Sequence, residues 1–320
     1  MNDSESKFSL VAGEGDGAML GLAAGDTAGG AWELGYSAVT EQATVVAYQL
    51  IEHKRILIAP MVKAIGELDG SNDEEPVYRA ESADFRAWLD RVSQGRAMPD
   101  EEPSLDGAPR AVPIGIALRR EPKLLRDEAL ILGKLFHTHP TSVLAGVVTA
   151  GAVAASCFGQ SGRDLIAGVI EIVDTSSELI RPSPAGGPEA GDLMDELRGL
   201  LGHVGVGDGA EALALVSSGA GTGPWDKVKA GLLLAAPLAE RPHVPIEQAA
   251  KIGGSTLAAM VGGIVGARVG IRAWPWAFAN DTWFAEIGRR LVRGPKEVRD
   301  LPIPYAVEHH LISGERQGLH

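Results

Sequence analysis

A small set of side chains in this 320-residue chain has the types and settings that chemistry needs. Asp26 follows a glycine inside an apolar stretch, and Glu33 stands seven residues further on. A carboxylate so placed either serves as a general base for a water or caps a helix start and anchors a loop. His137 and His139 lie just ahead of Pro140, where a long apolar helix should begin. The free N–H groups and partial positive charge of a helix start suit a phosphate, so His139 is a candidate ligand contact, with a packed structural histidine as the alternative. His137 has no motif behind it and reads as packed. Arg110 suits either a phosphate or a buried carboxylate. Ser255 and Thr256 follow Gly253-Gly254 at a second apparent helix start, where their hydroxyls either cap the helix or bind ligand oxygens. Asp281 reads as an N-cap, and Trp274, Trp276 and Trp283 read as core packing before base stacking. Cys157, the single cysteine, lies on an apolar stretch and reads as a small buried hydrophobe, not a nucleophile.

Composition limits what these residues can serve. The net charge of −13 and pI near 5.1 argue against nucleic-acid backbones and anionic membranes as main partners. One cysteine rules out an intrachain disulfide framework and a multi-cysteine zinc site, and favours a reducing compartment. The N-terminus lacks the basic start and apolar core of a signal peptide. The apolar stretches Val143–Ala155 and Leu257–Val269 fall short of the roughly 20 residues that span a bilayer. A cytoplasmic protein is the expectation.

With 41 glycines and 45 alanines but only 5% aromatics, the chain reads as closely packed helices. Helices are expected at Gly17–Ala31, Glu41–Lys54, Arg110–Arg119, Pro122–Leu135, Thr141–Ala155, Asp164–Ile180, Leu193–Leu201, Ala210–Ser218, Lys227–Ala239, Pro245–Ile252, Ser255–Ile271 and Thr282–Val292. Thr141–Ala155, apolar nearly all round, is the candidate central buried helix. The stretches 70–77, 98–109, 181–192 and 218–224 carry the Pro, Gly and charge of loops. No strand pattern and no internal repeat stand out. One helical domain over residues 1–320 is expected, with 1–12 and 300–320 peripheral.

Three segments together resemble the ADP-ribosylglycohydrolase family. GAMLGLAAGDTAGGAWE (Gly17–Glu33) is similar to its opening motif, with Gly25-Asp26 and then Glu33. GAPRAVPIG (Gly107–Gly115) and LFHTHP (Leu135–Pro140) resemble its Arg-x-x-Pro segment and downstream Thr-His pair, here Thr138-His139. IGGSTLAAMVGGIVGARVG (Ile252–Gly270) resembles its C-terminal metal-motif helix. The resemblance, over roughly residues 12–295, implies an all-α orthogonal helical bundle. It also places Glu33 and His139 near the ligand.

The departures bear on mechanism. The family holds two magnesium ions through a Thr-Asp-Asp-Thr motif and an Asp-x-Asp-Ser/Thr motif. Aligned here, these fall on Ser37-Ala38-Val39-Thr40 and Gly253-Gly254-Ser255-Thr256, and no aspartate remains in either window. Magnesium wants near-octahedral oxygen ligation, usually with one or two carboxylates. No metal cofactor is therefore expected. Glu33 and Asp26 become the candidate catalytic carboxylates, with Arg110, His139, Ser255, Thr256 and Thr40 as ligand contacts. The implied activity is metal-independent cleavage of an N-ribosyl bond in a small nucleotide or nucleoside. The alternatives are an inactive relative that binds an ADP-ribose-like ligand or a partner protein, and a structural protein whose pocket is plugged, with Val39 as a first plug.

Overall fold

The computed structural model describes residues 3–30, 36–68, 82–95, 102–182, 186–205, 208–216, 222–238, 241–270, 280–293, 300–302, 304 and 307, apart from the side chains of 3–14, 84 and 175. Among them the only regular structure is helical. The helices are α1 (Asp3–Gly29), α2 (Ala38–His53), α3 (Ile58–Leu68), α4 (Ala83–Ser93), α5 (Gly107–Arg110), α6 (Val112–Ala117) and α7 (Pro122–Phe136). They continue with α8 (Pro140–Cys157), α9 (Gly162–Val173), α10 (Ala190–Gly199), α11 (Gly209–Val216), α12 (Pro224–Ala235), α13 (His243–Val269) and α14 (Asp281–Arg293).

Local chemistry sets the boundaries that matter for the site. Ser37 has extended backbone angles and accepts the Val39 N–H on its hydroxyl, so α2 begins at Ala38. The helix ends where Lys54 turns left-handed and returns its N–H to the Leu50 carbonyl. Pro140 opens α8, where its missing N–H costs no helical bond. Every residue of α8 is buried, as its nearly unbroken apolar sequence requires. The helix expected over Arg110–Arg119 is divided, because Pro113 opens a new helix, α6, immediately after the single turn of α5. The helix expected over Asp164–Ile180 is α-helical to Val173 and continues as a 3-10 turn to Leu179. α3 and α4 lie outside the helices expected from the sequence, and the opening helix begins at Asp3, well ahead of Gly17. The loop expected at 70–77 falls outside the described residues.

The tightest contact in the bundle is between α1 and α13, which run antiparallel. A Cβ built on Gly17 would meet the Gly266 carbonyl oxygen at 2.3 Å, and one on Gly25 the Ala258 oxygen at 2.1 Å. One on Gly29 would meet the Ser255 Cα at 2.4 Å, and one on Gly262 the Gly21 oxygen at 2.0 Å. Steps of four on α1, and of three or four on α13, keep these residues on one face, so backbone lies on backbone through about three turns. Elsewhere α14 is fixed to α1 by the Arg289–Asp16 ion pair at 3.0 Å. Arg268 on α13 donates to the carbonyls of Gln160, Ala235, Ala236 and Pro237, tying α13 to the ends of α8 and α12. Among the described residues two helices, α8 and α13, are long and apolar enough to cross a bilayer; α8 is wholly buried within the bundle and the apolar part of α13 mostly so.

A methyl group in this contact can be accommodated only by parting the helices. Gly25→Ala and Gly262→Ala should each cost at least about 3 kcal/mol or prevent folding, because the obstacle is rigid backbone. Gly66→Ala in α3, with open space around the new methyl, should be neutral or stabilising by up to about 1 kcal/mol. Urea unfolding of the three variants checks the contrast.

Candidate functional site

The last turns of α1 support both windows in which the sequence lacks its expected aspartates. Asp26 is completely buried, and its carboxylate points at the start of α2. It accepts the Ser37 N–H at 2.8 Å, the Ser37 hydroxyl at 2.9 Å and the Thr40 hydroxyl at 2.7 Å. Burial pushes the Asp26 carboxyl above the usual carboxylate range, opposed by these hydrogen bonds. The side chain is thus committed to holding the first turn of α2, and that fills the helix start with an acid of the chain's own. Thr40, expected at the ligand, is fully buried and gives its hydroxyl proton to Asp26.

One turn beyond Asp26, Gly29 abuts the other window. α13 breaks at Gly254, whose φ of 68° and ψ of −160° are not helical. The two helices expected from the sequence thus meet at that glycine, and together they carry the label α13. Ser255 and Thr256 open the second half as expected for a helix start, and both are only partly buried. Of the expected ligand contacts, these two keep solvent access. Val39 is buried, and Glu41, the acid nearest the first window, is buried with bonding partners.

Arg110 sits deeper than a ligand contact would require. It is 2% exposed, and its guanidinium lies 4.2 Å from the centre of the Phe136 ring and 5.6 Å from that of Phe85. It donates to Gln42 on α2, faces His137 Nε2 at 3.3 Å, and lies 3.8 Å from the Asp106 carboxylate. The residue joins α5 to α2 from within the core, which is the packing of the ion-pair alternative. His139 is the N-cap of α8, and its Nδ1 accepts the Thr141 N–H at 3.2 Å. That leaves the proton on Nε2, which faces the chain at Gly187. The helix start expected to receive a phosphate is therefore capped by the histidine itself.

Glu33, Trp274 and Trp276 lie outside the described residues. Trp283 packs on Phe284 in α14, and Cys157 is buried. Sequence reasoning passed over Gln42, Tyr36 and Asn280, which carry no motif. It also set aside His137, whose neighbours in LFHTHP were the available signal.

His137 is buried beside a permanent cation. Burial, and then the nearby Arg110 charge, push its imidazole down to about 3. Unfolded, it takes a proton near pH 6.5; folded, it stays neutral until about pH 3. Its contribution to stability is present above pH 6.5 and is lost as pH falls toward 3. His137→Gln keeps an acceptor for Arg110 and removes the titration. Urea midpoints measured from pH 7 to pH 4 should fall more steeply for the wild type than for the variant.

Comparisons with known proteins extend this picture. The sequence profile described as ADP-ribosylglycohydrolase matches residues 15–300. No curated protein sequence matches significantly. Among solved structures, one named "ADP-ribosylglycohydrolase-related protein complex" superposes with a TM-score of 0.63 at 17% identity. The match covers 89% of this chain and 99% of that one, and at such identity it speaks for the all-α fold alone. The profile spans most of the chain, including the Asp26 clamp, the Arg110 core and the break at Gly254: the chain belongs to the ADP-ribosylglycohydrolase family.

Proposed function

We propose that this chain hydrolyses an N-ribosyl bond in a small nucleotide or nucleoside without a divalent metal. One observation carries the reading. The junction of α1, α2 and α13 is built by contacts that need no ion, Asp26 to Ser37 and Thr40 and Gly29 to Ser255. Within it, the motif resemblance would put the family's metal-binding aspartates at positions that here carry Ala38, Val39, Gly253 and Ser255. The donor set does not fit a binuclear magnesium site. The hydroxyls of Ser37 and Thr40 are spent on Asp26, and Ser255 and Thr256 offer neutral oxygens. Among the described residues no group of three or more His, Cys, Asp or Glu side chains could hold a metal ion.

Breaking an N-ribosyl bond passes through a cation-like ribosyl state, which a nearby carboxylate stabilises and an activated water captures. Glu33 is the proposed base. Asp26 holds the framework, and its buried setting supports that part over direct attack. Ser255 and Thr256, which keep solvent access, are the proposed ligand contacts. Working without metal forfeits several kcal/mol of electrostatic help, so the leaving group must itself be good, such as a cationic base. The single buried Cys157 suits a reducing, cytoplasmic setting.

The second reading, a binder without turnover, is favoured by the commitment of Asp26, Thr40 and Arg110 to internal bonds. Chromatography of NAD, nicotinamide mononucleotide, ADP-ribosyl-arginine and nucleosides after incubation with the protein and EDTA separates the two. Cleavage should survive EDTA and fall at least about 100-fold in Glu33→Gln. Loss of cleavage on chelation would sink the metal-free reading. Ligand binding by calorimetry without any turnover would establish the binder.

A further inference from the structure

We propose that Asn280 is a positioning residue for the start of α2, acting through Tyr36; its catalytic consequence rests on the function proposed above. Asn280 precedes α14 and has a φ of 63°, a left-handed conformation that asparagine tolerates better than most residues. That backbone sends its side-chain amide to the Tyr36 hydroxyl at 2.7 Å. Tyr36 is 1% exposed, and its ring meets Phe284 of α14 edge-on, with centroids 4.9 Å apart. The next residue is Ser37, which gives both its N–H and its hydroxyl proton to Asp26.

The clamp on the first turn of α2 therefore has two jaws. Asp26 holds Ser37 and Thr40 from α1, and Asn280 with Phe284 holds Tyr36 from α14. The far half of α2 has its own attachment to α14, where Trp283 Nε1 donates to the Tyr48 hydroxyl at 3.1 Å. Loss of the Asn280–Tyr36 bond should leave that attachment in place and loosen only the first turn. Ser37 and Thr40 are the residues that Asp26 holds at the junction of α1, α2 and α13, so the same bond bears on the junction proposed as the site.

The variants are Tyr36→Phe, which keeps the ring on Phe284, and Asn280→Gly, which keeps the left-handed backbone and removes the amide. Hydrogen exchange is read at the Ser37–Glu41 amides, and kcat and KM are measured on whichever compound of the EDTA panel is cleaved. Each single variant should raise exchange at those amides and lower kcat about 10-fold, as a small misplacement does. KM should move less than about 3-fold, because the bond lies outside the ligand contacts. The double variant should match Tyr36→Phe alone, since that substitution already removes the bond through which Asn280 acts. Unchanged exchange, additive effects, or a lowered melting temperature with kcat intact would overturn the proposal. If the wild type cleaves nothing on the panel, the proposed function fails, and exchange at Ser37–Glu41 alone decides the role of Asn280.

Discussion

A carboxylate taken fully out of water persists only where donors surround it, and the centre of this protein is organised around one such group. Asp26 receives an N–H and two hydroxyls from the residues that open α2. An unpaired buried charge would cost several kcal/mol, so α2 can begin only where those donors reach the acid. The acid in turn sits one residue after Gly25, whose backbone lies on the Ala258 carbonyl of α13. One interaction thereby connects the Gly25-Asp26 pair to the position of a neighbouring helix start.

A second buried network stands behind the first. Arg110, Gln42, His137 and Asp106 join α5, α2 and the α7–α8 turn, with Phe136 and Phe85 against the guanidinium. A charge with hydrogen-bond partners and aromatic faces about it pins one arrangement of its neighbours, whatever it adds to stability. The two networks approach α2 from different sides, one from α1 and one from α5.

How much of this was legible in the sequence depended on whether a residue acts through its neighbours in the chain or through distant ones. α8 could be read from its apolar run, and α2 from the helical spacing of Val45, Val46, Leu50 and Ile51. The break before Ser255 was legible because two glycines ahead of two hydroxyl residues stop one helix and start another. α3 was not expected, although Ile58, Met61, Ile65 and Leu68 have helical spacing; the segment is short and follows a polar stretch. The divided α5–α6 pair shows the local effect of Pro113. The helix-start role of Asp26 was among its readings, its partners lying 11 and 14 residues on, but the partner of Arg110 was beyond reach, since Gln42 lies 68 residues away and no pattern in either segment names the other. The same distance explains why the alternatives for Arg110 could be stated from the sequence but not decided.

The face shared by α1 and α13 has a mechanical consequence. Packed side chains can change rotamer and so absorb small displacements, but carbonyl oxygens resting on glycine Cα atoms have no such freedom. Along this seam the two helices behave as one stiff beam, with the Asp26 carboxylate and the Gly254 break mounted on it one turn apart. α14 shares this kind of contact, since a Cβ on Gly288 would meet the Gly15 carbonyl oxygen at 2.2 Å, so breathing of the interior falls to elements fastened by side chains, such as the first turn of α2, which pivot about the beam without bending it.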